Sequence, residues 1–99
     1  MPGMAVQVVG MAWYRREDWN KLKALFTDAH KLHRTYDEWL KAAEMGVKTL
    51  TAQGHVVEKV HIDPDEFAGW CAVRGLNIDA KARTQFANEF VYRKYQNRG

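Results

Sequence analysis

Only two stretches of this chain read as β-strand, and that pair constrains the fold more than any other feature. Residues 5–14, Ala-Val-Gln-Val-Val-Gly-Met-Ala-Trp-Tyr, are uncharged and rich in β-branched and aromatic side chains. Val6 and Val8 fall on one face, and Val9, Met11 and Trp13 on the other, so both faces call for cover. Gly10 in the middle predicts a bulge or a close backbone approach. Residues 55–62, His-Val-Val-Glu-Lys-Val-His-Ile, supply the second strand. Val56, Val60 and Ile62 share one face, while His55, Val57, Lys59 and His61 share the other, which implies one covered face and one wet or partner-covered face. Two strands alone are marginal in water. The sheet therefore needs helices over it or completion by another chain.

Helical patterns fill the rest. Trp19, Leu22, Leu25 and Phe26 mark a short apolar face, and residues 27–34 break it as a connection. Thr35 with Glu38 three residues later forms a capping box, ahead of a long helix whose stripe is Tyr36, Leu40, Ala43, Val47 and Leu50, with Trp39 beside it and Gly54 just past its end. Gly46 inside this helix costs up to ~1 kcal/mol relative to Ala, so it predicts close packing. After the second strand, Asp63 fits N-cap, Pro64 the first helical position and Glu66 the third. Phe67, Trp70, Cys71 and Leu76 make the buried side of this third helix, which Gly75 ends. A last helix starts near Asn77 or Asp79 and runs to about Tyr95, its stripe Ala82, Phe86 and Phe90 widened by Ala87 and Val91. The tryptophans at 13, 19, 39 and 70 come from four different elements, the pattern of one shared core.

The order is β-α-α-β-α-α, an α+β domain with a small two-stranded sheet covered by about four helices. The direction of the two strands stays open. The chain's 99 residues suit one domain spanning 1–99, with 1–4 and 96–99 expected to be disordered. Met4 and Met11 are alternative starts to Met1, and a start at Met11 would remove most of the first strand.

Composition excludes several classes. The chain has no serine, so Ser-His-Asp catalysis is out. It has no Gly-rich phosphate loop and no apolar run near the ~20 residues of a membrane span. One cysteine makes no internal disulfide, which points to a reducing, cytoplasmic compartment. Cys71 shares its helix face with Phe67 and Trp70, so it reads as buried and inert. With that sole thiol, His30, His33, His55 and His61 fall short of a structural zinc site, and neither a metal nor a cofactor is expected.

The densest carboxylate cluster, Asp63, Asp65 and Glu66, directly follows a strand and offers the candidate catalytic groups. The same three residues are what a helix N-terminus favours electrostatically. If both strand ends meet at one edge, these acids could line a cleft with Arg15 and Arg16. Charge is segregated along the chain: residues 1–34 carry net +3, residues 35–78 net −3 and residues 79–99 net +3. Arg15 and Arg16 beside Trp13 and Tyr14, and Arg93, Lys94 and Arg98 beside Tyr92 and Tyr95, are candidate contacts for a partner. Nucleic acid is the lesser alternative, since an acidic middle facing a basic end of another copy also fits. The reading is a small non-catalytic interaction module that self-associates, as a homodimer whose edge strands extend the sheet, and binds another macromolecule. The alternative is a small enzyme or ligand-binding protein using the strand-end acids with Arg15 or Arg16.

Overall fold

The computed structural model describes residues 7–96. Strand β1 (Val8–Trp13) is followed by a 3-10 turn at Arg16–Asp18 and helix α1 (Trp19–Leu25). A second 3-10 turn at Ala29–Lys31 leads to α2 (Tyr36–Ala52), then β2 (Val56–His61), α3 (Pro64–Arg74) and α4 (Ala80–Gln96). The order and class are those the sequence implies. The disorder expected at 1–4 and 97–99 lies outside the described residues, while Gln96 is the last residue of α4.

The two strands run parallel, with Val8 opposite Val56 and Trp13 opposite His61 in an unbroken register. Parallel pairing needs a long crossover, and the 17-residue α2 supplies it. Its capping box is complete. The Thr35 hydroxyl accepts from the Glu38 N–H at 3.2 Å, and the Glu38 carboxylate accepts from the Thr35 N–H at 3.1 Å. At the carboxyl end of α3, Gly75 takes the left-handed conformation, φ +65°, that suits a residue without Cβ.

Helices cover both faces of the sheet. On the α2 side, Met11 reaches Gly46, where an added Cβ would stand 3.5 Å from the methionine methyl. On the α4 side the approach is closer: a Cβ on Gly10 would lie 2.8 Å from the Ala87 carbonyl oxygen and from Val91 Cγ2. Gly10 thus serves close approach, and the continuous register shows no bulge. Val60, Ala87 and Val91 form a small core here with Val8, Phe86 and Tyr95 around it. Val60 and Ile62 are buried as their alternation implies, but Val56 at the start of β2 remains 45% exposed.

The larger core gathers at the carboxyl ends of the strands. Trp13 meets Trp39 edge-on at 5.2 Å, Tyr14 lies 4.7 Å from Trp39, and Trp19 packs against Tyr14, Tyr36 and Trp39. Phe67 and Leu22 are completely buried in the same cluster. The expected stripe of α4 holds at Ala82, Phe86, Ala87 and Val91 and fails at Phe90. The buried residues of α4 are Ala82, Arg83, Ala87 and Val91, while Phe90 is 48% exposed. Seating the small Ala87 on Gly10 turns the helix so that positions 83, 87 and 91 face inward and Phe90 faces out.

Candidate functional site

Parallel pairing brings the carboxyl ends of both strands to one edge, so the strand-end acids and arginines do become neighbours. They do not converge. Asp63 accepts from the Glu66 N–H at 2.9 Å as the cap of α3, and its other oxygen lies 3.9 Å from Arg15. Arg15 in turn holds Asp18 at 3.0 Å, and Arg16 pairs with Asp37 while lying over the Tyr36 ring. Asp65 pairs outward with Lys21 at 3.1 Å. The acids of Asp18 and Asp37 hold the charge on Arg15 and Arg16, raising both above the ordinary guanidinium range. Three carboxylates thus point three ways, two of them already matched to cations.

The third, Glu66, lines a groove of about 440 Å³ between α3, α4 and the end of β2. Its apolar wall is Trp70, Phe86 and Phe90. Trp70 is fixed by the stacked Phe67 ring at 6.0 Å, the Phe86 edge at 5.2 Å and the Arg74 guanidinium at 4.3 Å from its centroid. Its polar wall holds Glu89, Arg93 and Lys94, with His61 at the strand end. Glu89 accepts from Arg74 at 3.4 Å and from Gln85 at 3.2 Å, and Lys94 donates to both Glu58 oxygens at 3.1 Å. Arg93 is 71% exposed and meets Glu89 only at 3.9 Å. Among the described residues the Glu66 carboxylate makes no ion pair. Of the proposed partner contacts, Arg93 and Lys94 therefore share this groove, Arg15 and Arg16 sit in ion pairs at the strand ends, and Arg98 lies outside the described residues.

Much of the charge segregation along the chain is answered within it. Basic residues of the first 34 pair with acids of the middle (Arg15 with Asp63, Arg16 with Asp37, Lys21 with Asp65), and Lys94 near the end pairs with Glu58. The most buried ion pair was not visible in that reckoning. Arg83 donates from both terminal nitrogens to the two oxygens of Asp28, each at 2.9 Å, with its guanidinium over Phe26. Bonding to Arg83 lowers the Asp28 carboxyl below the usual range. Burial works against the Arg83 charge, but its bonds to Asp28 together with the fields of Tyr14, Asp28 and Asp79 outweigh it and raise it. Beside them burial pushes the Tyr14 phenol up to about 12, against the opposing field of Arg83. The signal for Arg83 lay in its spacing, four residues before Ala87 and eight before Val91.

Cys71 is buried, and desolvation raises its thiol, in keeping with an inert side chain. His30, His33 and His61 are exposed and scattered over different elements, while the half-buried His55 has an Nδ1 with no hydrogen-bond partner among the described residues. Among the described residues no three His, Cys, Asp or Glu side chains gather as a metal site would require. None of the described helices is long and apolar enough to cross a membrane.

Residues 4–96 fit the model of a family described as Domain of unknown function (DUF8829). No curated protein and no solved structure matches the chain.

Proposed function

The chain belongs to that family of unassigned domains, and we propose from its own geometry that it is a non-catalytic interaction module that holds another polypeptide in the groove between α3 and α4. The observation that carries this reading is Phe90. A phenylalanine half-exposed on a groove already walled by Trp70 and Phe86 leaves apolar area in water that a docked chain would bury. The charged residues around it form a polar rim of the kind that surrounds an interface core. The competing enzymatic reading draws less support from these side chains, because Asp63 and Asp65 are engaged in capping and ion pairs. The lone buried thiol fits a reducing compartment, and we place the module in the cytoplasm on that ground.

The test is site-specific photo-crosslinking in cells that express the chain. A photoreactive phenylalanine analogue at position 90 is expected to give an adduct of one defined mass. The same analogue at Met45, 58% exposed on α2, is expected to give none. Equal labelling from both positions, or none from position 90, would refute the reading.

A further inference from the structure

The groove's charges indicate what occupies it. A two-fold contact duplicates every charge on a patch, so a patch that meets itself must carry both signs in balance. The groove does so, with Glu66 and Glu89 against Arg93 and Lys94. Two of these are already matched inside the chain, Glu89 by Arg74 and Lys94 by Glu58. Among the described residues that leaves one exposed carboxylate, Glu66, and one exposed guanidinium, Arg93, held only by the 3.9 Å approach to Glu89. The half-exposed Phe90 lies on the same groove. A segment of other origin would have to present a cation, an apolar group and an anion in matching order. A second copy of this chain presents all three on the corresponding surface.

We propose, resting on the docking role just given to the groove, that its occupant is a second copy of this chain. The two grooves face each other across a two-fold axis. Phe90 of each copy fills the partner's groove, and Glu66 of each pairs with Arg93 of the partner subunit. Each copy completes the apolar wall of the other, so the exposed face of α4 becomes the centre of a homodimer.

Sedimentation equilibrium across low to high micromolar concentration tests this, with thermal melts confirming that each variant is folded. The wild-type chain dimerises. Glu66→Arg and Arg93→Glu each weaken the dimer about tenfold or more, because one reversal sets two like-charge contacts where two attractions stood. The double variant, Glu66→Arg with Arg93→Glu, regains affinity. Phe90→Ser dissociates the dimer without touching a charge. A wild type that stays monomeric, or a double variant as weak as the product of the two singles, overturns the proposal. A monomeric wild type whose position-90 probe captures a different polypeptide removes the second copy as occupant and leaves the docking role standing. No adduct removes both.

Discussion

Arg83 and Asp28, 55 residues apart, close a two-pronged ion pair with both arms at 2.9 Å, side chains only 8% and 13% exposed. The pair ties the first turn of α4 to the connection between α1 and α2. A buried cation left without its partner is strongly destabilising. Asp28→Ala is therefore expected to cost about 3 kcal/mol in denaturant unfolding. Replacing both residues by apolar ones of similar size recovers part of that loss. The pair also shapes the acid limb of stability. The folded Asp28 carboxyl sits below its unfolded value, so its contribution is present above the ordinary carboxylate range and is lost as pH falls through the depressed value. Asp28→Asn should flatten that part of the stability–pH curve.

Tyr14 governs the alkaline limb. Its phenol is pushed from 10.0 to about 12 when folded, chiefly by burial. The stabilisation is complete below the unfolded value and is lost as pH rises through the folded one. Unfolding titrations should show stability falling between about pH 10 and 12, by an amount on the order of 2–3 kcal/mol. Tyr14→Phe should remove most of that slope, and an unchanged slope would assign it to another group.

The two sheet-facing glycines should respond in opposite directions to alanine. At Gly10 the new methyl would stand 2.8 Å from the Ala87 backbone, so α4 must lift off β1. Overpacking of this kind costs about 1–3 kcal/mol. At Gly46 the nearest atom is the flexible end of Met11 at 3.5 Å, an ordinary contact. Gly46→Ala should gain up to ~1 kcal/mol from helix propensity. Thermal melts of the two variants should bracket the wild type.

The strand-end carboxylates should prove structural and unequal. Asp63→Ala removes the N-cap of α3 and is expected to cost about 1 kcal/mol. Asp65→Asn breaks only an exposed pair with Lys21, whose two side chains are 62% and 82% exposed, and should change stability by less than about 1 kcal/mol. Equal losses at the two positions would contradict this division.

Capping signals made the helices legible, because Thr35, Asp63 and Gly75 act through neighbours close in sequence. Long-range geometry was less so. The direction of the strands depends on how α2 returns the chain, which no local signal encodes. The inward face of α4 depends on Gly10 admitting Ala87, a contact across 77 positions, and reading it would have exposed both Phe90 and the buried Arg83. The carboxylate cluster was visible as a set of residues, but its dispersal into a cap, an ion pair and a groove wall is set by partners on other elements. The groove itself combines one strand end with two helices, and no segment announces it.

The most direct measurement is an amide NMR titration of the chain against its own concentration. The resonances that shift or broaden as concentration rises should belong to His61, Glu66, Trp70 and residues 86–94, with the exposed face of α2 around Met45 unchanged. Changes centred on α2 or on the outer edge of β1, or a spectrum indifferent to concentration with no adduct at position 90, would contradict this expectation.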